Sequence, residues 1–272
     1  MLAFPNCKIN IGLNIIEKRP DGFHNIETVF YPVPLCDALE VIIDHSSDNI
    51  SLQVTGNDIA GDISENIIFK AYHLIKNEVP LPGLKVHLHK VIPSGAGLGG
   101  GSSDAAFFIK MLNELADLKL NDYDLHNYAS KLGSDCSFFI NNLPAFATQK
   151  GENLEPIEFS LKEKVLVLIK PDVFVSTAEA YAGVTPFLPS EKLYNNIQLS
   201  VEKWREVIIN DFEHSIFNNH PVLKKIKDEL YDLGAIYSSM SGSGSTIYGL
   251  FEKEMDLTYF SKDYFVWQKR LD

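Results

Sequence analysis

Residues 93–103 read Pro93-Ser94-Gly95-Ala96-Gly97-Leu98-Gly99-Gly100-Gly101-Ser102-Ser103. This glycine-rich segment follows an alternating apolar run that ends at Ile92 and precedes a helix-like run that begins at Asp104. Glycines let the backbone approach an anion closely and aim successive N–H groups at it. The dipole of a following helix adds partial positive charge at the same place. The segment therefore predicts a phosphate-binding loop, and we expect the chain to bind a nucleotide.

Glycine-rich phosphate loops differ in the residues directly after their last glycine. A Walker A loop requires Lys and then Ser or Thr at that point, whereas the sequence here continues with Ser102-Ser103. The ordinary P-loop is therefore excluded. Gly95, Gly97 and Gly100 satisfy G-x-G-x-x-G after a predicted strand, so a dinucleotide-binding fold stays open. A glycine-rich surface turn is the remaining alternative.

Composition narrows the kind of partner. The 272 residues include 24 Lys and Arg against 36 Asp and Glu, a formal net charge of −12. This excess of negative charge argues against nucleic acid or an anionic membrane surface. The three cysteines are odd in number and far apart, so they offer neither a disulfide framework nor a C-x-x-C pair. No run of apolar residues is long enough to span a bilayer. We expect a cytoplasmic protein without a structural metal site. The sequence gives no indication of its oligomeric state.

The order of predicted elements favours an α+β fold. Strands are predicted at 8–15, 27–31, 38–43, 51–55, 84–92, 145–149, 165–169, 235–239 and 246–251, and helices at 65–76, 104–116, 122–132, 177–182, 201–210 and 221–233. The first strand alternates apolar and polar residues, which predicts a half-buried strand. Ser102 or Ser103 is the expected N-cap of the helix after the glycine loop, and Asp104 is expected to face outward there. Irregular alternation of strands and helices is typical of α+β proteins, with a predicted domain boundary between 1–149 and 150–272.

Four separated motifs resemble those of the GHMP small-molecule kinases. They are the glycine loop with its Asp104-Ala105-Ala106 continuation, Pro5-Asn6-Cys7-Lys8-Ile9-Asn10 with Arg19-Pro20-Asp21-Gly22-Phe23-His24, Gly133-Ser134-Asp135, and Met240-Ser241-Gly242-Ser243-Gly244. Within that superfamily the chain is most similar to members that phosphorylate the 2-hydroxyl of 4-diphosphocytidyl-2-C-methyl-D-erythritol, in non-mevalonate isoprenoid synthesis. Phe23 replaces the tyrosine usual there, and Cys7 replaces a small alanine. The resemblance implies ATP as co-substrate, Mg²⁺ beside it, and a ribosomal-protein-S5-domain-2-like domain followed by an α/β-plait-like domain.

The resemblance also assigns roles to individual residues. Asp135 matches the catalytic base and Lys8 its charge partner. The ATP loop comprises Pro93, Ser94, Gly95, Ala96, Gly97, Leu98, Gly99, Gly100, Gly101, Ser102 and Ser103, with Asn66 and Lys90 near the ATP base. The cytidylyl substrate is assigned to Asn10, Phe23, His24, Thr177, Tyr181, Ser241 and Gly242, with Phe23 and Tyr181 on the two faces of cytosine and His24 at its edge. Ser103 is a possible magnesium ligand.

Structural roles compete with each of these assignments. Asp135 could be a turn residue, Lys8 a solvated strand lysine and Lys90 a surface residue at the end of a strand. The aromatic residues could pack in the core. The second glycine turn, Ser241-Gly242-Ser243-Gly244-Ser245, could be a plain hairpin loop. Three other functions stay open as well. They are another GHMP kinase of the homoserine or mevalonate type, a non-catalytic nucleotide sensor, and a dinucleotide-dependent oxidoreductase.

Overall fold

The computed structural model describes residues 1–59 and 61–272. Its strands are β1 (Leu2–Ala3), β2 (Asn6–Lys18), β3 (His24–Cys36), β4 (Ala38–Asp44), β5 (Ile50–Gly56), β6 (Gly83–Lys90), β7 (Ala145–Gln149), β8 (Asn153–Pro156), β9 (Val165–Lys170), β10 (Tyr237–Met240), β11 (Ile247–Phe251) and β12 (Phe265–Arg270). Its helices are α1 (Ile67–Lys76), α2 (Gly100–Leu115), α3 (Asp122–Leu132), α4 (Phe138–Asn141), α5 (Thr177–Ala182), α6 (Leu193–Asn196), α7 (Val201–Val207), α8 (Phe212–Asn219) and α9 (Pro221–Asp232). Short 3₁₀ turns occupy Ile63–Glu65 and Leu257–Tyr259.

The chain forms two compact units, each discontinuous in sequence. The first unit contains Met1–Lys8, Leu35–Ser94 and Gly99–Leu143, and the second contains Ile9–Pro34, Gly95–Leu98 and Pro144–Asp272. The division into domains 1–149 and 150–272 stays a prediction. Of the described residues, no helix combines the length and apolar character needed to cross a membrane.

The first unit is a sheet packed against helices. Its strand order is β1-β4-β6-β5, antiparallel except for the parallel pair β5 and β6. Helix α1 connects that parallel pair, as a crossover requires. In β4, Leu39 and Val41 are buried while Glu40 and Ile42 are exposed, so one face of the strand carries the core. Helix α2 packs on β4, and α1, α3 and α4 pack on α2.

The second unit contains an antiparallel sheet in the order β10-β11-β9-β12. The central strands β9 and β11 are apolar and almost completely buried. Helix α9 packs on β10 and β11 through its apolar stripe of Leu223, Ile226 and Leu230. A further sheet has the order β2-β3-β7-β8, and most of its residues also belong to this unit. Mixed strands and helices confirm the predicted α+β class.

Strand β2 differs from the sequence prediction, because both of its faces are buried from Asn6 to Ile15. The polar side chains are buried since they have partners inside the protein: the Asn10 amide donates to the Thr28 hydroxyl at 3.0 Å. The prediction of a half-buried strand is therefore wrong. The solvated-lysine alternative for Lys8 is wrong as well, since Lys8 is only 3% exposed.

Helix ends follow local capping chemistry. The predicted bounds of α3 and α5 agree with the structure, and α3 carries a capping box between Asn121 and Asp124. The prediction of Ser102 or Ser103 as the N-cap of α2 is wrong, because Gly99 takes that position in the left-handed conformation at φ 69°. The helix predicted at 201–210 ends at Val207, where Ile208 turns to extended backbone.

Candidate active site

The N-terminus of α2 is open to an anion. Gly99, the N-cap, has no side chain to bond the first turn, and the Ser103 N–H donates to the Gly99 carbonyl at 2.9 Å. The other N–H groups of the first turn have no acceptor inside the helix. Gly101 is exposed, and a Cβ atom built on it would meet no side chain within 4 Å in residues 1–59 and 61–272. The first turn therefore presents donors, partial positive charge and empty space together.

Lys8 and Asp135 lie together beside this helix end. Their Nζ and Oδ2 atoms are 3.2 Å apart, with the Lys8 side chain 4% exposed and the Asp135 side chain 29% exposed. A Cβ at Gly99 would stand 3.0 Å from Lys8 Cε and 3.2 Å from Phe139 Cε2. Glycine is required there both by its positive φ and by the lysine stem that passes it. The structure thus brings together the pair that the sequence singled out.

The turn that carries Asp135 lies between α3 and α4. Within it, the Cys136 N–H donates to the Gly133 carbonyl at 3.2 Å. Lys110 of α2 donates to the carbonyls of Phe139 and Ile140 at 3.0 and 3.2 Å, which fixes α4 to α2. Burial lowers the pKa of Lys110. Sequence reasoning missed Lys110 because it stands among apolar helix residues without a motif.

Lys90 is the centre of a buried charge cluster. Its ammonium contacts the Asp37 carboxylate and lies 2.8 Å from Asp104 Oδ2. Asp37 Oδ1 also accepts the N–H groups of Val91 and Ile92 at 2.6 and 2.8 Å. The carboxylates raise the pKa of Lys90 against the opposing effect of burial, and burial raises the pKa of Asp104.

This cluster revises two expectations. Lys90 is 4% exposed, so its interpretation as a surface residue is wrong, and Asp104 is 1% exposed, so it does not face outward. The helix end tolerates the buried Asp104 because Lys90 lies opposite its carboxylate. Asn66 caps α1 by accepting the Ile68 N–H at 2.9 Å. Contacts of Asn66 and Lys90 with the ATP base stay predictions.

In the second unit, two glycine-rich segments pack on each other. A Cβ at Gly97, where φ is 75°, would stand 2.0 Å from the Ser241 carbonyl oxygen. The Ser241 hydroxyl donates to the Gly97 carbonyl at 2.8 Å and accepts the Asn10 N–H at 3.1 Å. The Thr246 N–H donates to the Ala96 carbonyl at 3.2 Å. The second glycine turn is therefore bonded to residues of the predicted phosphate loop and is more than a plain hairpin connection.

The exposed aromatic ring of Phe174 lies next to Gly95 of the predicted phosphate loop. Phe174 is 72% exposed, and a Cβ at Gly95 would stand 3.0 Å from its Cε2 atom. Sequence reasoning missed this residue, because a phenylalanine after a buried strand is usually a core residue. Its exposure shows that the ring is not part of the core.

The predicted base-binding residues also lie in the second unit. The rings of His24 and Tyr181 stack at 4.7 Å with an angle of 17°. Burial, with a smaller contribution from Lys18, lowers the pKa of His24. Phe23 is 58% exposed, and Lys150 Nζ lies 5.0 Å from its ring centroid. Thr177 precedes Tyr181 by four residues on α5, so the two share a helix face.

Comparison with known proteins places these features in a family. The chain matches the GHMP kinases N terminal domain over residues 66–146 and the GHMP kinases C terminal over residues 196–258. It is 49% identical to a 4-diphosphocytidyl-2-C-methyl-D-erythritol kinase of Parabacteroides distasonis, over all of both chains. It is 54% identical to the protein of the same name in Bacteroides thetaiotaomicron, over 93% of each chain. A crystal structure of 4-(cytidine 5'-diphospho)-2C-methyl-D-erythritol kinase matches with a TM-score of 0.79 at 31% identity, covering 92% of this chain and 90% of that one. The chain therefore belongs to the 4-diphosphocytidyl-2-C-methyl-D-erythritol kinases, a family of the GHMP kinases.

Proposed function

We propose that this protein transfers the γ-phosphoryl group of ATP to the 2-hydroxyl of 4-diphosphocytidyl-2-C-methyl-D-erythritol, giving ADP and the 2-phosphate. The observation that carries the proposal is the buried Lys8 ammonium 3.2 Å from the partly exposed Asp135 carboxylate, beside the open N-terminus of α2. Phosphoryl transfer to an alcohol needs a carboxylate for the hydroxyl and positive charge for the phosphoryl oxygens. This arrangement supplies both.

Asp135 acts as the general base. The acceptor hydroxyl donates a hydrogen bond to its carboxylate, which orients the oxygen toward the γ-phosphorus. As the new P–O bond forms, the bond between the γ-phosphorus and the β–γ bridging oxygen breaks, and ADP leaves with that electron pair. The hydroxyl proton passes to Asp135. Lys8 keeps a positive charge next to the carboxylate and the transferred group.

The phosphates of ATP are bound chiefly by backbone groups. The N–H groups of the first turn of α2 donate to phosphate oxygens, and the helix dipole adds to this attraction. Gly101 leaves the necessary space, since a Cβ there would meet no side chain of the described residues within 4 Å. Gly95 to Leu98, held by the second glycine turn, supply the remaining backbone of the loop.

Magnesium would be held largely by the nucleotide. Among the residues that the structure describes, no group of three or more His, Cys, Asp or Glu could hold an ion. Mg²⁺ does not need such a cluster, because it commonly binds substrate phosphates together with only one or two protein ligands. Ser103 is the proposed protein ligand, because its buried hydroxyl has no hydrogen-bond partner among the residues that the structure describes. Bound Mg²⁺ would neutralise charge on the β- and γ-phosphates.

Cytosine recognition combines stacking with an uncharged histidine. The lowered pKa of His24 favours the neutral imidazole, which can donate from one nitrogen and accept at the other. Tyr181 and Phe23 supply aromatic faces for stacking. The same proposal includes a cytoplasmic location, where ATP is available and where the thiols of Cys7, Cys36 and Cys136 stay reduced.

The deciding assay measures ADP release with three acceptors in parallel: the cytidylyl substrate, mevalonate and homoserine. We expect ADP only with the cytidylyl compound, and a new phosphomonoester signal in its ³¹P spectrum. ATP binding without ADP release would indicate the nucleotide sensor. ADP release with mevalonate or homoserine in place of the cytidylyl compound would refute the proposed acceptor.

A further inference from the structure

A buried asparagine side chain forms hydrogen bonds with the second glycine turn. Asn210 lies between α7 and α8 and is 3% exposed. Its amide nitrogen donates to the carbonyls of Met240 and Gly242, both at 2.8 Å. Its amide oxygen accepts the Phe212 N–H at 3.0 Å, at the start of α8. Every polar function of this side chain is therefore bonded to backbone, and two of the three bonds go to the turn and to the residue directly before it.

The segment that carries Asn210 is itself fixed to β2. The Leu13 N–H donates to the Ile209 carbonyl at 2.9 Å, and the Asp211 N–H donates to the Leu13 carbonyl at 2.8 Å. The Asp211 carboxylate accepts the Ile15 N–H at 2.7 Å. Residues on both sides of Asn210 are thus bonded to a buried strand, which fixes the backbone position of the asparagine.

Glu213 holds the same turn from its other side. Its Oε1 atom accepts the Met240 N–H at 2.8 Å and the Ser239 hydroxyl at 2.9 Å. Its other oxygen contacts Lys227 at 2.5 Å. Both backbone polar groups of Met240, the residue before the turn, are therefore bonded to side chains, the carbonyl to Asn210 and the N–H to Glu213 of α8.

The turn needs such support because of its composition. Gly242 and Gly244 have φ of 57° and 90°, and glycine has the greatest backbone freedom of any residue. Two bonds lie within the turn, from the Ser241 N–H to the Thr246 carbonyl at 2.9 Å and from the Gly244 N–H to the Ser241 carbonyl at 3.0 Å. The turn and the residue after it also bind the glycine loop, because the Ser241 hydroxyl donates to the Gly97 carbonyl and the Thr246 N–H donates to the Ala96 carbonyl.

We propose that Asn210 is a positioning residue for ATP binding. Its amide fixes the carbonyls of Met240 and Gly242, the turn then fixes Ala96 and Gly97, and these residues present the loop backbone to the triphosphate. Asn210 touches neither substrate in this scheme. The proposal rests on the proposed function only in requiring that the loop binds ATP, and it is independent of the identity of the acceptor.

The variant Asn210→Asp separates this role from helix capping. Aspartate keeps an oxygen for the Phe212 N–H but replaces the donating amide with an acceptor that faces two carbonyls. We expect the Kd for a non-hydrolysable ATP analogue, measured calorimetrically without acceptor, to rise about tenfold or more, because charge-assisted backbone bonds require accurate placement. With the acceptor present, kcat/KM for ATP should fall by at least the same factor.

Two control variants make the result specific. Asn218→Asp adds the same charge to the exposed face of α8, the helix that follows Asn210, and it should bind the analogue like the parent protein. Ile226→Val removes one methyl group from the core of the second unit, so it lowers stability without touching the turn. Its Kd should also match that of the parent protein.

An unchanged Kd in folded Asn210→Asp would overturn the proposal, and so would an equal rise in Kd for Ile226→Val. If Asn210→Asp does not fold, Asn210→Ser gives the same test, because serine can accept the Phe212 N–H but cannot reach both carbonyls. A parent protein that binds the analogue but releases no ADP would refute the proposed function and leave this test intact.

Discussion

Gly101→Ala should make the protein more stable and a poorer ATP binder. Gly101 is the second residue of α2, is exposed, and has open space where a Cβ would stand. Alanine is preferred over glycine within helices by about 0.5–1 kcal/mol. For a chain of this size, such a gain raises Tm by about 1–4 °C. The unliganded protein therefore has no structural need for glycine at this position.

The same methyl group would occupy the space proposed for a phosphate. It would hold the phosphate away from the first-turn N–H groups, and one weakened charge-assisted hydrogen bond costs about 1.5–3 kcal/mol. At about 1.4 kcal/mol per factor of ten, the Kd for ATP should rise roughly tenfold to a hundredfold. Stability and affinity should change in opposite directions.

Thermal unfolding without nucleotide and calorimetric titration with a non-hydrolysable ATP analogue measure the two effects. Asn127→Ala is the matched control, because Asn127 is exposed on α3 in the same unit and alanine also favours a helix there. It should raise Tm without changing the Kd. If Gly101→Ala binds the analogue as tightly as the parent protein, the space beside Gly101 is not a phosphate site. A lower Tm would refute the steric reasoning.

Three further substitutions test the charged and aromatic residues of the site. Asp135→Asn should leave binding of the ATP analogue nearly unchanged but lower kcat in the ADP-release assay by a factor of about 10² or more; near-normal turnover would remove Asp135 from the mechanism. Tyr181→Ala should raise the KM for the cytidylyl substrate by the equivalent of about 1–3 kcal/mol of lost stacking, and an equal rise in the KM for ATP would argue against a base-binding role. Burial raises the pKa of Asp104, so its carboxyl group takes up a proton at a higher pH in the folded protein than in the unfolded chain. Its contribution to the free energy of unfolding should therefore decrease as pH rises above about 4, the ordinary pKa of an aspartate. Asp104→Asn should flatten this dependence in urea unfolding at several pH values, and an unchanged slope would contradict it.

Local sequence signals predicted the parts of the fold that local chemistry controls. Asn121 and Ser176 directly precede helices α3 and α5, and their side chains cap the two helices; such caps are visible in sequence. The glycine loop before α2 is predicted from its glycines and from its place between a predicted strand and a predicted helix. The N-cap of α2 was predicted wrongly because serine usually caps through its side chain, whereas here Gly99 adopts a left-handed conformation that leaves space for Lys8.

Contacts between distant residues could not be predicted in this way. Lys90 and Asp37 are 53 residues apart, and no local pattern near Lys90 indicates that its charge is buried. Asn210 and the carbonyls of Met240 and Gly242 are separated by 30 and 32 residues. Lys8 and Asp135 were paired at the sequence level only through family resemblance. Side-chain networks of this kind depend on packing, which the pattern of apolar residues does not encode.

The Lys90 cluster has a consequence for inhibitors. The ammonium of Lys90 is bound between two carboxylates, and the ammonium of Lys8 faces Asp135. The proposed phosphate site, at the glycine loop and the first turn of α2, therefore attracts its ligand mainly through oriented N–H groups. Affinity for such groups depends more on the shape and hydrogen-bond geometry of a ligand than on its net charge. A compact neutral group with several acceptor oxygens should therefore replace a phosphate here with less loss of affinity than in a pocket lined by lysine and arginine.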